Sequence, residues 1–210
     1  MKVNELAKEI HANAVAHGWW DDERKAPEIV ALIHSEWSEA LEEARAGRPL
    51  VWRECRGASM MANEVHDCDF MQPNVCNESG DCSFKAQKPE GIAVELIDGC
   101  IRIFDAFQFF GVNFKDETRT LDDLMDEAAR EVLPKCESVS DVIAFLHYET
   151  SMLFGAATIK GYKVPPATFI LGALGIALAW VRQQGLDPLA ILLEKHEYNK
   201  GRPYKHGKKF

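Results

Sequence analysis

The sequence predicts an all-α protein, a helical bundle built from two tandem, diverged helical-pair repeats that form a pseudo-dimer. Apolar residues recur at helical spacing along most of the chain. The two halves can be aligned with each other, apart from an irregular cysteine-rich insertion over residues 50–88. The 210 residues suffice for a single domain with a sizeable core. We divide this domain into a first repeat, 1–118, and a degenerate second repeat, 119–210, that ends in a basic tail.

Composition limits the function classes. Hydrophobic residues make up 47% of the chain and charged residues 27%, as in soluble globular proteins. The net charge of −9 argues against binding to polymeric nucleic acid. No charged segment followed by an apolar one opens the chain, which predicts a cytoplasmic protein. The six cysteines are then expected to be free thiols or metal ligands rather than disulfides.

The first two predicted helices span Asn4–His17 and Pro27–Ala46, and Gly18 separates them. Trp19 and Trp20 follow that glycine and fit either a core or lid position or a platform for stacking a nucleobase. The second helix has an apolar stripe that includes Leu32, Ile33 and Trp37.

Two glutamates interrupt that stripe. Glu36 projects inside the stripe, and Glu39 lies at its edge. Residues three apart share one face of a helix, so both carboxylates are expected to point toward the core.

The third predicted helix is started by a turn at Pro89 and stopped at Gly111, and it is apolar almost all round. A helix of this kind is typically buried. Its ionisable residues nevertheless fall in one arc of roughly 80°, and they are Glu95, Asp98, Arg102 and Asp105. Buried charges are costly unless they are paired or bound to metal. The arc is therefore either a narrow solvent-facing strip or part of a metal site.

Two carboxylate pairs from facing helices favour the metal site. Glu36 and Glu39 come from one helix, and Glu95 and Asp98 from the other. An oxygen-rich, strongly negative pocket suits a hard cation such as Mg²⁺, for which Mn²⁺ can substitute.

The insertion holds a second candidate metal site. Its cysteines are Cys55, Cys68, Cys76 and Cys82. Their spacing matches no common zinc module. A structural Zn²⁺ and a loop with incidental thiols are both open interpretations.

Four further helices are predicted after Gly111. They span Leu121–Val132, a segment capped by Ser138 or Ser140 that runs through Phe154, Pro166–Gln184 and Leu189–Tyr198. Val164–Val181 carries no ionisable group, which is borderline for a membrane span. Because this segment contains two prolines and two glycines, we predict a buried core helix and no membrane partner.

The repeat is visible as two sequence offsets. An offset of 113 sets Glu36 on Glu149, and an offset of 74 aligns the third helix with Pro166–Gln184. The difference of 39 equals the length of the 50–88 insertion. Glu39 then aligns with Met152, while Glu95, Asp98, Arg102 and Asp105 align with Phe169, Gly172, Ile176 and Ala179. The alignment predicts one working metal site and one decayed site.

Three segments together resemble one family. GWW…IVALIHSEWSEALEEARAG, KPEGIAVELIDGCIRIFD and EKHEYNKGRPYKHGKK are similar to the MazG-like, all-α nucleoside triphosphate pyrophosphohydrolases. The resemblance covers about a third of the chain. It implies that Glu36, Glu39, Glu95 and Asp98 bind Mg²⁺ and that the substrate is a ribonucleoside or deoxynucleoside triphosphate. The implied products are the nucleoside monophosphate and pyrophosphate. The insertion and the motif-poor second half depart from the family pattern.

Charge and side-chain chemistry add further site candidates. Either Glu36 or Glu39 is expected to hold or deprotonate the attacking water. Residues 194–210 hold six Lys or Arg against two Glu, so this tail is basic. The predicted phosphate-binding residues are Arg102, Lys195, Asn199, Arg202, Tyr204, Lys205 and His206. We expect the tail to fold back over the carboxylates, and a homo-oligomer, a dimer of pseudo-dimers, to form.

Two other functions compete with hydrolysis. A di-iron carboxylate protein has a similar bundle, but its Glu-x-x-His pairs are missing from this sequence. A non-catalytic regulator is suggested by the motif-poor second half.

Overall fold

A buried helix, Ile92–Ala106, lies at the centre of the structure and contacts four other helices. The computed structural model describes residues 3–53, 88–112 and 120–207, with backbone only for 206 and 207. In chain order the helices are α1 (Val3–Ala16), α2 (Ala26–Arg45), α3 (Ile92–Ala106), α4 (Leu121–Glu131), α5 (Val139–Thr158), α6 (Pro166–Gln183) and α7 (Pro188–Lys200). Short 3₁₀ turns follow at Leu133–Lys135 and Tyr204–Gly207. The predicted all-α bundle is confirmed.

Helix α3 packs against α1, α2, α6 and α7, while α5 and α6 pair with each other and α4 covers α6. The α2–α3 contact is close because α3 has no side chain at Gly99. A Cβ built there would lie 2.1 Å from the indole ring of Trp37. The glycine therefore determines how near the two carboxylate-bearing helices approach.

Capping explains where α4 and α5 begin. Thr120 and Ser138 each accept a hydrogen bond from a backbone N–H three residues later, and Asp123 and Asp141 return the bond to the cap. These reciprocal capping boxes satisfy N–H groups that a helix start leaves unpaired. Of the two predicted caps, Ser138 and Ser140, the structure has Ser138, and α5 starts at Val139.

Two strands of two residues each were not predicted. β1 (Trp52–Arg53) pairs antiparallel with β2 (Pro89–Glu90). The pairing brings together the two ends of the 50–88 insertion. Its four cysteines, Cys55, Cys68, Cys76 and Cys82, lie outside the described residues, as does the predicted repeat boundary at 118.

Helix α6 is the one described helix with the length and composition of a membrane span. Most of the residues of this helix are buried inside the bundle. Its neighbours α4 and α5 cover it, which agrees with the predicted core helix.

Candidate functional site

Three carboxylates converge where α2 faces α3. Glu36 and Glu95 are buried, with 6% and 2% of their surface exposed, and Glu39 is exposed at the rim. One oxygen from each lies within 4.8 Å of the other two. The predicted pairing of carboxylates from two facing helices is therefore present for these three residues.

Asp98 is engaged differently. The fully buried Lys195 of α7 places its Nζ 2.8 Å from Asp98 Oδ2 and donates a second bond to the carbonyl oxygen of Pro89. Lys195 thus ties α7 to α3 in an ion pair. This differs from the predicted contact between Lys195 and phosphate, because the packing of α7 on α3 removes the ammonium group from the pocket surface.

A salt bridge between Arg102 and Glu36 connects the three converging carboxylates to Trp19. Arg102 Nε donates to Glu36 Oε1 at 3.0 Å. The Arg102 guanidinium also lies over the Trp19 ring, 5.4 Å from its centroid. Trp19 is nearly buried, so the tryptophan that could stack a base forms one wall of the site.

Burial sets the protonation of the two inner carboxyls. Burial raises the pKa of Glu95 to about 9, against the opposing charge of Lys195. Burial also raises the pKa of Glu36, and nearby Asp98 and Glu39 add to the rise while Arg102 opposes it. Burial therefore disfavours the ionised forms of Glu36 and Glu95, and the neighbouring cations only partly offset it.

Asp105 is the last of the four ionisable residues that share one face of α3, and it contacts residues of α1 and of the α1–α2 connection. Its Oδ1 accepts a hydrogen bond from Trp20 Nε1 at 2.8 Å and lies 2.8 Å from His11 Nδ1. These bonds join α3 to α1 and to the α1–α2 connection. Asp105 also lines the pocket, and its bond to Trp20 fixes the residue next to Trp19.

The tail divides into two parts. Asn199 and Arg202 line the same pocket as Glu36 and Glu39, which agrees with a tail that folds back over the carboxylates. Tyr204 instead donates to Asp21 Oδ2 at 2.6 Å.

Lys205 is held in the same region, since its Nζ donates a hydrogen bond to Asp22 Oδ2 at 3.0 Å. Tyr204 and Lys205 therefore anchor the tail to the α1–α2 connection rather than reach the predicted phosphate position. Gly18 permits this docking, because its φ is +77° and a Cβ there would lie 2.0 Å from the Tyr204 ring. The side chain of His206 is outside the described part.

His196 and Lys88 are pocket residues that the sequence analysis missed. His196 is buried, and within the described chain neither ring nitrogen has a hydrogen-bond partner; Nε2 lies 3.5 Å from Glu9 Oε1. Burial lowers the pKa of His196, and the nearby Lys200 adds to the fall. His196 lies within the EKHEYNKGRPYKHGKK segment, but the charged neighbours there give no sign of a buried ring.

The carboxylate pocket is the space that these groups enclose between α1, α2, α3 and α7. It is lined by Ile10, Asn13, Ala14, Trp19, Glu36, Glu39, Lys88, Asp98, Ile101, Arg102, Asp105, His196, Asn199 and Arg202. Its lining combines acidic groups with cationic and hydrogen-bonding groups. Asn199 Oδ1 is buried without a partner among the described residues. Such an arrangement can bind a cation and a polar anionic ligand together.

No protein-family model, curated protein or solved structure matches this chain. The resemblance to MazG-like pyrophosphohydrolases therefore stays a prediction that the sequence segments alone carry.

Proposed function

We propose that the carboxylate pocket binds Mg²⁺ and hydrolyses a nucleoside triphosphate to the nucleoside monophosphate and pyrophosphate. The observation that carries the proposal is the convergence of Glu36, Glu39 and Glu95, with oxygens within 4.8 Å. Glu36 and Glu39 line a pocket that also contains Arg102 and Arg202. An anionic cluster beside cations suits a ligand that brings both a metal ion and phosphate groups.

The donor set fits the proposed metal. All three groups offer carboxylate oxygens, which hard cations such as Mg²⁺ and Mn²⁺ prefer. The raised pKa values of Glu36 and Glu95 indicate two carboxyls whose ionised forms lack sufficient positive charge nearby. A divalent cation supplies that charge. Asp98 has two oxygens, so it can keep Lys195 and join the site with the other.

The bound metal would offset charge on the phosphate oxygens and acidify a water molecule. Glu39 is our candidate for holding that water and accepting its proton, because Glu36 Oε1 already accepts a bond from Arg102. Arg102 keeps Glu36 oriented, and Arg202 is available for bidentate binding of phosphate oxygens.

The nucleoside portion has complementary surfaces in the same pocket. His196 Nδ1 and Asn199 Oδ1 are buried without hydrogen-bond partners in the described chain, and leaving such atoms unpaired costs about 1–3 kcal/mol each. A ligand with hydrogen-bonding edges would satisfy them. Trp19, whose ring lies under the Arg102 guanidinium, lines the pocket beside these groups. A nucleotide combines these features with the phosphates that Arg202 can bind.

The direct test is a panel of the four common NTPs and the four common dNTPs, each incubated with the protein and Mg²⁺. We expect pyrophosphate and the corresponding monophosphate in equal amounts from at least one nucleotide, and none in excess chelator. Release of orthophosphate and a nucleoside diphosphate would contradict the proposed bond cleavage.

A further inference from the structure

A second pocket lies between α4, α5 and α6, on the part of the bundle that lacks the metal-binding carboxylates. Its volume is about 460 Å³, within the range of small-molecule sites. Apolar groups form most of its wall, among them Val132, Phe169, Leu171 and Ile176.

The second pocket occupies the position that the sequence offsets predict for a counterpart of the carboxylate pocket. Glu149, offset by 113 from Glu36, lines it, and so do Gly172 and Ile176, which the offset of 74 pairs with Asp98 and Arg102. Helices α1 and α4 extend the correspondence. At an offset of 118, the buried residues Val3, Leu6, Ala7 and Ile10 match Leu121, Leu124, Met125 and Ala128.

Two contacts at the α2–α5 interface support this relationship. His34 Nδ1 lies 2.8 Å from His147 Nδ1, and Trp37 Nε1 donates to Thr150 Oγ1 at 2.9 Å. Both pairs are 113 residues apart. Contacts between equivalent residues are what a two-fold axis between repeated units produces. The second pocket is thus placed like the first but has different chemistry.

Glu149 is the polar feature of this otherwise apolar wall. It is half-buried on α5, and within the described chain no ion pair or hydrogen bond compensates its burial, which raises its pKa. A carboxylate in such surroundings is costly unless a cation or hydrogen-bond donor approaches it.

The remaining charges of the pocket have the same sign. Glu127 and Glu131 lie exposed at its rim, and the described lining residues include no Lys or Arg. Among the described residues, three possible metal ligands gather only at Glu36, Glu39 and Glu95. The second pocket therefore disfavours phosphate and lacks the ligand set for a divalent metal.

We infer that the second pocket is a separate binding site for a small organic ammonium ion with an apolar body, whose charged nitrogen pairs with Glu149. The apolar wall would cover the hydrocarbon part of the ligand, and Glu127 and Glu131 would attract the cation to the opening. The inference does not depend on hydrolysis at the carboxylate pocket.

The test is isothermal titration of the full chain, without Mg²⁺, using benzylammonium, cyclohexylammonium and n-hexylammonium as probes. Benzyl alcohol, cyclohexanol and n-hexanol are the neutral counterparts. We expect saturable binding of at least one ammonium probe and about tenfold weaker binding of its alcohol, which corresponds to about 1.4 kcal/mol.

Variants locate the binding. Glu149→Gln should weaken binding of the ammonium ion about tenfold and leave binding of the alcohol unchanged. Two control variants should leave the binding of both compounds unchanged: Glu36→Gln, and Glu137→Gln at an exposed carboxylate just before α5. Thr168→Phe, at an exposed position on the pocket wall, should weaken the binding of all probes. This variant tests the site even if Glu149→Gln fails to fold. Absence of saturable binding, equal binding of ammonium and alcohol, or loss of binding in Glu36→Gln alone would overturn the inference.

Discussion

Lys195 and Asp98 form an ion pair between α7 and α3, with 2.8 Å between Nζ and Oδ2. The lysine is fully buried, and its second bond, to the carbonyl oxygen of Pro89, reaches the β2 strand that precedes α3. The ion pair therefore fixes α7, which the basic C-terminal segment follows, against α3.

The first prediction concerns that ion pair. Lys195→Met should lower the free energy of unfolding by about 1–3 kcal/mol without metal, because it leaves the partly buried Asp98 carboxylate and the Pro89 carbonyl without their donor. Urea unfolding measures the loss. Mg²⁺ should restore part of it by supplying positive charge to the same cluster. Lys200→Met on the same helix removes only exposed salt bridges and should cost no more than about 1 kcal/mol. Equal losses in the two variants would show that the Lys195–Asp98 pair has no special role.

The second prediction concerns pH. The pKa of Glu95 in the folded state is about 9, well above the ordinary value of about 4.3 for an unfolded chain. The folded state therefore retains this proton over the interval in which the unfolded state has lost it. The contribution of this proton to the free energy of unfolding is fully present below the pKa of Glu95 in the unfolded chain. It is lost as the pH rises toward 9, the pKa in the folded state.

Metal-free protein should accordingly lose unfolding free energy between pH 5 and 9, and Glu95→Gln should reduce that loss and raise stability at pH 8. Denaturant unfolding across this range gives the measurement, with exposed Glu42→Gln on α2 as the control. A Glu95→Gln protein that is less stable than the wild type at pH 8 without metal would contradict the burial argument.

The helices and the three converging carboxylates could be predicted from sequence because both depend on local periodicity. An apolar stripe gives the buried face of a helix, and Glu36 and Glu95 interrupt such stripes. The burial of Lys195 and its ion pair could not be predicted in this way. Sequence shows its charge and its place in a basic segment, but only the packing of α7 on α3 shows that Asp98 is its partner.

The tail shows the same limit. Asp21 and Asp22 are visible in the sequence as an acidic pair, but their pairing with Tyr204 and Lys205 depends on contacts 183 residues apart. Strands β1 and β2 have two residues each, which is too short for a periodic pattern. His196 lies among charged neighbours, so nothing in its local sequence indicates a buried ring.

The third prediction separates the two parts of the tail. Arg202 lines the carboxylate pocket, so Arg202→Lys should lower kcat/KM about tenfold through loss of the guanidinium fork. Lys205→Met removes a cation that pairs with Asp22 and should change kcat/KM much less. Steady-state kinetics with the nucleotide identified by the panel gives both values. A larger effect of Lys205→Met would place the phosphate contact at the α1–α2 connection instead.

The fourth prediction concerns the paired histidines at the α2–α5 interface. Burial lowers the pKa of both His34 and His147, and their mutual hydrogen bond needs at least one neutral ring. Their contribution is present above the ordinary histidine pKa of about 6.5 and is lost as the pH falls through the lower folded values.

His34→Gln should therefore be less sensitive than the wild type to a fall from pH 7 to pH 5. The difference in unfolding free energy between them should change by on the order of 1 kcal/mol, the contribution of one hydrogen bond. Parallel pH profiles for the two proteins would mean that the pair does not respond to protonation.

The most direct test of the central claim is ³¹P NMR of one reaction mixture, with the best nucleotide of the panel and saturating Mg²⁺, for the wild type, Glu39→Gln and Glu42→Gln. Both glutamates are exposed on α2, so both proteins should fold. The account predicts monophosphate and pyrophosphate from the wild type and from Glu42→Gln, and a rate lower by about 10²–10⁴-fold in Glu39→Gln. Turnover by Glu39→Gln at the wild-type rate, or no turnover of any nucleotide by the wild type, would contradict it.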